Sequence, residues 1–523
     1  MTTLRRKRVR TADNWDVQRV GALPSSIEEE QAQLRAALAA SAATVACPIC
    51  DTCWPPDDIE RHVNQCIDGP SKKAPAPNDE GKEEKNPAMV QQQWASILPG
   101  EKKVVGSRRM PFYKILDGMP ISVDAFRYGA IPGCTAYILT HFHSDHYGGL
   151  TSKWVHGPIY CTQITARLVE KHLHVDPQWL HPLPWDKSVL LPDTGGVHVT
   201  CIPANHCPGA AMIVVEGPHT AHIHPHSTPS PYIGLPRTFR YLHCGDFRAC
   251  PAQLAHAAMQ APFDVVYLDT TYLDPRYAFP PQPHVVQACV DMLTAPAPEP
   301  TLSTWLQKNP VLDAPLVVVG TYLLGKERLI KALAHALQTR IYCSDARKYD
   351  TYALLNDPAL VECLTRDPRE ARVHVLSLAG VQKEALLEYT QALQRRGLRI
   401  THTMAFRPTG WTYRQTTTLT PQQSLADIMA HFTPLPSYTR TSMQATKDST
   451  PQLRMYAVPY SEHSSFFELM AFMLSLTYRR VVSTVHSGGA QQQKRVQAWL
   501  HMWTMAVRAK RAPDIHPRSD EYW

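Results

Sequence analysis

Apolar residues fall along this chain in short blocks. From about residue 106, runs rich in β-branched and aromatic residues (136–139, 197–202, 212–215, 265–268 and 316–319) alternate with segments of helical pattern (164–172, 326–337 and 383–395). The short runs predict strands and the others predict helices, and their alternation predicts an α/β architecture of sheets covered by helices. Two segments interrupt the pattern. Residues 216–240 are rich in His, Pro and Thr and sit between two strand-like runs, and residues 437–451 are polar. Both are expected to be surface insertions. Residues 68–105 are polar, charged and proline-rich, as a flexible linker is.

At 523 residues the chain has room for roughly three domains of ~150 residues each. An apolar content of 44% excludes whole-chain disorder, and 45 prolines against 24 glycines fit ordered domains joined by proline-rich connectors. No stretch reaches the ~18 apolar residues of a membrane span, so no membrane partner is expected. The net charge of +7 permits a polyanionic partner and argues against a protein that works by bulk positive charge. The 13 cysteines are odd in number and scattered, which fits reduced thiols, some on metal, better than a disulfide framework. Arg5, Arg6, Lys7, Arg8 and Arg10 form a basic run within a tail (1–46), readable as a nuclear import signal or as a solvated terminus. No apolar segment follows it, so a secretory signal is not expected. Residues 27–43, rich in Ala, Glu and Gln, are expected to be helical.

Cys47, Cys50, His62 and Cys66 give the spacing C-x2-C-x11-H-x3-C within 47–67. The two-residue gap lets two thiolates grip one ion from a tight turn, and His62 and Cys66 share a helical face, completing a tetrahedron for one structural zinc. So small a unit has no core of its own, so metal binding would supply its folding energy. Cys53 is read as a spare thiol. The pattern resembles the ubiquitin-binding zinc fingers of DNA-repair proteins. Ubiquitin or a ubiquitinated repair protein is the partner which that resemblance implies, with nucleic-acid binding as the alternative.

The strongest chemical signal is H-x-H-x-D-H, made by His141, His143, Asp145 and His146 after an apolar run. Alternation places His141 and His143 on one face. So many imidazoles and carboxylates cannot form an ordinary core, because unsatisfied they are costly to bury. A pair of cations satisfies them. Further candidates follow in order: His206 in a segment ending Asn205-His206-Cys207-Pro208-Gly209, and Asp246 in His243-Cys244-Gly245-Asp246.

These motifs resemble the metallo-β-lactamase superfamily. The resemblance implies that His141, His143 and His206 hold one metal, that Asp145 and His146 hold the second, and that Asp246 bridges them, with Asp124 as a supporting carboxylate. Two divalent ions make hydroxide available near neutral pH and stabilise attacking and leaving oxygens. A set of His and Asp without Cys suits zinc, with manganese or iron as alternatives.

Further segments resemble the β-CASP branch, which acts on nucleic acids: Asp269 in Asp269-Thr270-Thr271-Tyr272, and His463 in Ser461-Glu462-His463-Ser464-Ser465. The resemblance implies that both lie beside the metals, joining Asp145 as catalytic residues. Residues 320–327 satisfy G-x4-G-K but end in Glu327, where a nucleotide-binding loop needs Ser or Thr, so ATP binding is not expected. A DNA phosphate is the expected guest of Thr321 and Lys326, joined by Ser464 and Ser465, and Arg407 reads equally as a phosphate ligand or a structural arginine. Where DNA-acting members carry valine before the glycine of the last motif, and RNA-acting members histidine, this chain has Ser487, with His486 one place upstream. His486 is read as a neighbour of the site, not as a ligand.

The expected fold is therefore an αββα metallo-β-lactamase sandwich (106–280, returning over 446–511) with an inserted β-CASP α/β domain (281–445), a small zinc finger at 47–67, and a tail at 512–523. The resemblance is closest to the DNA cross-link repair nucleases. It implies a nuclear 5′-to-3′ DNA exonuclease that hydrolyses phosphodiesters at 5′-phosphate ends during interstrand cross-link repair. The alternatives are a structure-selective endonuclease of Artemis type and an RNA-processing nuclease.

Overall fold

The computed structural model describes residues 110–224, 227–294, 315–432, 437–485 and 490–523, together with the antiparallel pair Val45–Ala46 and Cys53–Trp54. The zinc-finger ligands Cys47, Cys50, His62 and Cys66, the expected helix at 27–43, the linker, and His486 and Ser487 lie outside the described residues.

Two sheets form the first unit. In sheet I, β1 (Ile121–Val123), β2 (Ala136–Ile138), β3 (Ile159–Thr162) and β4 (Leu180–Leu183) run parallel in that order. Sheet II contains β5 (Val189–Leu190), β6 (His198–Pro203), β7 (Ala211–Pro218), β8 (Thr238–His243) and β9 (Phe263–Leu268). The strands from β5 to β8 are antiparallel neighbours, and β9 lies parallel to β8.

Alternation along the strands explains how the sheets stack. Val199, Cys201, Ile213, Val215, Tyr241, Val265 and Tyr267 of sheet II face Ile121, Val123, Ala136 and Ile138 of sheet I in one sealed core. The intervening residues Ile202, Met212, Val214, Leu242, Val266 and Leu268 point to the opposite face of sheet II, into a second core. Both faces of these strands are buried, which is why they read as continuous apolar runs. Helix Gln163–Leu173 covers sheet I with Leu168 and Val169 and starts at Thr162, whose hydroxyl accepts the Thr165 N–H.

The inserted unit is one six-stranded parallel sheet, sheet III. It is built from β10 (Leu316–Thr321), β11 (Arg340–Cys343), β12 (Leu364–Thr365), β13 (Ala371–Ser377), β14 (Thr403–Pro408) and β15 (Leu453–Val458), in the order β12-β11-β13-β10-β14-β15. Leu316, Val318, Ala405 and Met455 face helix Lys383–Arg395. Val317, Val319, Val373 and Phe406 face the other way and share a continuous core with helix Glu327–Ala336 and the outer side of sheet II. The chain then rejoins sheet II through β16 (Tyr478–Ser483), parallel to β9.

Two expectations are corrected here. The return to the first unit does not begin at 446: β15 pairs with β14 inside sheet III, so the inserted sheet extends beyond the expected boundary. The insertion at 216–240 is not wholly a surface loop, because β7 runs to Pro218 and β8 begins at Thr238, and the segment between buries His219 and His224. His219 stacks on Phe239 with ring centroids 3.5 Å apart. The tail at 512–523 packs back on the body, with Trp523 4% exposed and the Asp520 carbonyl accepting the Ala252 N–H.

Candidate metal centre

Five strands of the sandwich deliver the candidate residues from their C-terminal ends. Asp124 follows β1, residues 140–146 follow β2, His206 follows β6, Asp246 follows β8 and Asp269 follows β9. The site therefore lies along one edge of the sandwich, where sheets of this kind place their ligands. Three turns there are left-handed: Asp124 (φ 50°), Asn205 just before His206 (φ 53°) and Gly245 just before Asp246 (φ 58°). A Cβ at Gly245 would stand 3.0 Å from the Thr140 Cβ, so backbone conformation and close approach both require glycine.

Each imidazole is held by one ring nitrogen and aimed by the other. His143 Nε2 donates to the Leu324 carbonyl (3.3 Å), and His206 Nδ1 donates to the Glu462 carbonyl (2.8 Å). His146 Nδ1 donates to Asp124 Oδ2 (2.7 Å), and His463 Nδ1 to Asp269 Oδ2 (2.8 Å). The Thr140 hydroxyl donates to Asp124 Oδ2 (2.8 Å), so its oxygen is free to accept from His141 Nδ1 (3.0 Å). In the neutral rings of His141, His143 and His206 the opposite nitrogens then carry lone pairs.

Those lone pairs converge. His141 Nε2 lies 2.9 Å and His206 Nε2 3.1 Å from His143 Nδ1. Three acceptors packed this closely need a cation between them. Two further groups adjoin the first: His141, His146 and Asp246, and His206, Asp246 and His463. Within each group the ligand atoms lie within 4.8 Å of one another. Asp246 belongs to both of these further groups, with Oδ2 3.3 Å from His146 Nε2 and 3.9 Å from His463 Nε2. The cluster can hold metal ions.

The electrostatics divide it in two. Burial, reinforced by the neighbouring imidazoles, holds His141 and His206 well below the usual histidine range, and burial also lowers His143. Burial likewise disfavours charge on His146, but Asp246, Asp124 and Asp145 outweigh it and raise His146 well above its usual value. His463 is raised to about 9 by Asp269 and Asp246 against the same burial. Burial opposes ionisation of Asp246, yet His146 and His463 hold it below the usual carboxylate range.

Some expected residues do other work. Asp145 Oδ2 is 3.4 Å from His146 Nε2, but its side chain is 74% exposed and outside the three convergent groups, whereas His463 is inside one. The Ser464 hydroxyl donates to the Phe247 carbonyl and accepts the Ala249 N–H. Ser465 caps helix Phe466–Ser475 in a reciprocal pair with Glu468. The Thr321 hydroxyl donates to the Tyr322 carbonyl, and the residue is 3% exposed. Lys326 already has its anion: its Nζ lies 2.9 Å from Glu462 Oε2, and its N–H donates to Glu462 Oε1 at 2.6 Å. Arg407 is exposed on β14. Sequence reasoning missed Glu462, and its only available signal was a carboxylate directly beside His463. Next to His463, Tyr272 and the exposed Trp411 pack with ring centroids 4.5 Å apart and planes tilted by 49°.

Residues 122–299 match the beta-lactamase superfamily domain, and residues 358–489 match the family described as DNA repair metallo-beta-lactamase. The DNA cross-link repair protein pso2/snm1 of Schizosaccharomyces pombe is 35% identical over 479 residues, spanning 87% of this chain and 78% of its own. The DNA cross-link repair protein SNM1 of Arabidopsis thaliana is 36% identical over 397 residues, 76% of this chain and 70% of its own. The 5′ exonuclease Apollo of Danio rerio is 28% identical over 372 residues, 70% of this chain and 50% of its own. The chain belongs to the Pso2/SNM1 family of DNA cross-link repair proteins, within the metallo-β-lactamase superfamily.

Proposed function

We propose that this protein is a metal-dependent nuclease that degrades DNA from 5′ ends during interstrand cross-link repair in the nucleus. The observation that carries this reading is the convergence of five imidazoles and a shared carboxylate on one edge of the sandwich. The names of the relatives support the substrate class and the direction of digestion.

His141, His143 and His206 would hold one divalent ion, and His146 and Asp246, with Asp145 at the solvent side, a second. The ligand types suit zinc. Bound ions would supply Lewis-acid charge to the phosphoryl oxygens and lower the pKa of water at the site. The chain's own groups do the positioning. Asp124 and Thr140 fix the tautomers of His146 and His141, and Asp269 orients His463. His463, raised to about 9, can hand a proton from Nε2 to a departing oxygen. Tyr272 and Trp411 offer an aromatic wall beside it, and Arg407 is the remaining candidate for a phosphate contact. Cys47, Cys50, His62 and Cys66 would form a structural zinc site that docks ubiquitin.

The test is digestion of end-labelled oligonucleotides by the purified full chain. A 5′-phosphate DNA end should be shortened stepwise, a 5′-hydroxyl end more slowly, and His206→Ala should stop both. Preferential cutting of hairpins or of RNA would replace this reading with the endonuclease or RNA-processing alternative. Loss of ubiquitin binding in Cys47→Ala, with the rate on naked DNA unchanged, checks the finger.

A further inference from the structure

The segment that reads in sequence as a phosphate-binding loop is occupied from within. Between β10 and helix Glu327–Ala336, the chain turns through Gly325 (φ +106°) and Lys326 (φ +73°). Ionisable side chains meet its backbone polar groups. Lys348 Nζ donates to the Tyr322 carbonyl and, at 3.1 Å, to the Leu323 carbonyl. Glu327 accepts the Gly325 N–H at 2.7 Å, and Glu462 accepts the Lys326 N–H at 2.6 Å. Lys348, Glu327 and Glu462 are all buried, and Lys326 Nζ pairs with the Glu462 carboxylate. Buried charge is tolerated when it is paired and hydrogen-bonded in this way. A Cβ at Gly325 would come within 2.7 Å of Glu462 Oε2, so the carboxylate lies flat against the turn.

This loop offers its Leu324 carbonyl to the metal centre, where it accepts from His143 Nε2. Glu462 also fixes His206 through its own carbonyl. We propose that Glu462 is a positioning residue that ties the 322–327 loop of the inserted unit to the first unit and so aims both His143 and His206 at the metal. The inference rests on the metal-centre reading above. It adds that ion affinity in the sandwich depends on a contact made by the inserted domain. Outer groups that orient imidazole ligands commonly govern metal affinity by 10–100-fold. The Lys326–Glu462 contact joins the loop that carries the Leu324 carbonyl to the residue whose own carbonyl holds His206.

The experiment measures zinc affinity by competition with a chromophoric chelator. It uses the full chain carrying Cys47→Ala and Cys50→Ala, so that the finger does not contribute. Glu462→Ala is expected to weaken zinc binding at least about tenfold, and Lys326→Met to weaken it similarly. Lys326→Arg, which keeps the charge, should restore most of the loss. The thermal midpoint of the metal-free protein is read beside it: Lys326→Met takes the cation from a buried carboxylate and should lower that midpoint, so zinc affinities are compared at a temperature where every variant is still fully folded. If Glu462→Ala does not fold, the Lys326 pair decides the question. Unchanged zinc affinity in Lys326→Met overturns the inference and leaves the metal centre standing. Absence of zinc binding in the parent protein overturns the metal-centre reading itself.

Discussion

Asp124 and His146 lie 22 positions apart in the chain and meet at 2.7 Å between Oδ2 and Nδ1. The carboxylate is almost fully buried and its other oxygen accepts the Thr140 N–H at 2.9 Å, so it cannot swing away from the ring. Asp124→Asn keeps the shape. It sets an amide N–H against the His146 N–H and the Thr140 O–H, leaving donors facing donors. His146 must then change tautomer and turn its metal-facing lone pair into an N–H. Zinc affinity should fall about 10–100-fold, with circular dichroism unchanged. Wild-type affinity in this variant would mean that His146 takes no part in ion binding.

Asp145 offers a different kind of test because its side chain is largely exposed, with His146 as its ion-pair partner. Asp145→Ala should leave the thermal midpoint where it is and lower the cleavage rate by on the order of 100-fold, the scale of losing one charge-stabilising group at a reacting centre. Full activity in the purified variant would remove Asp145 from the site and leave His463, which the structure draws into a convergent group, as the better ligand candidate.

The contrast between these two aspartates shows what the sequence could and could not carry. Histidines and aspartates at strand ends were legible because such residues are costly to bury without a partner, so their clustering already implied cations. The strands were legible because both faces of sheets II and III are buried and the apolar runs are unbroken. The hidden parts are those whose sequence signal is ambiguous. A serine beside a functional histidine can cap a helix or bind a phosphate, and Ser465 does the first. The run Leu453–Val458 would suit either parallel edge, and only the register with Thr403–Pro408 assigns it to the inserted sheet. The Leu324 and Glu462 carbonyls that orient His143 and His206 are main-chain atoms, which no residue type announces.

Arg248 links the loop that carries Asp246 to the loop that carries His463. Its guanidinium donates to Glu468 Oε1 at 2.9 and 3.1 Å and to the Ser461 carbonyl at 2.7 Å, and both side chains are buried. Arg248→Met strands a buried carboxylate and a carbonyl together, a loss of about 3–5 kcal/mol. Denaturant unfolding should show the midpoint falling accordingly, and replacing Glu468 by Gln in the same chain should recover part of it. A single variant within about 1 kcal/mol of wild type, a surface-pair value, would mean that the two loops are held together by packing alone.

His374 should make the inserted domain sensitive to acid. It is fully buried on β13, with Nε2 donating to the Pro368 and Ala371 carbonyls at 3.1 and 3.2 Å and Nδ1 2.8 Å from the Tyr389 hydroxyl. Burial lowers its pKa to about 4, against the opposing pull of the two carbonyls and with a small further push from Arg372. The unfolded chain takes up its proton near the ordinary value of about 6.5. The neutral ring therefore contributes stability that is complete above about pH 6.5 and is lost as the pH falls towards 4. At ~1.36 kcal/mol per unit the full contribution is about 3 kcal/mol. His374→Gln retains a donor for the carbonyls and cannot titrate. Its unfolding free energy should lie below wild type at pH 7.5, and the two curves should approach each other as the pH drops to 4.5. Curves that stay parallel across that range would place the proton uptake of acid unfolding on other histidines.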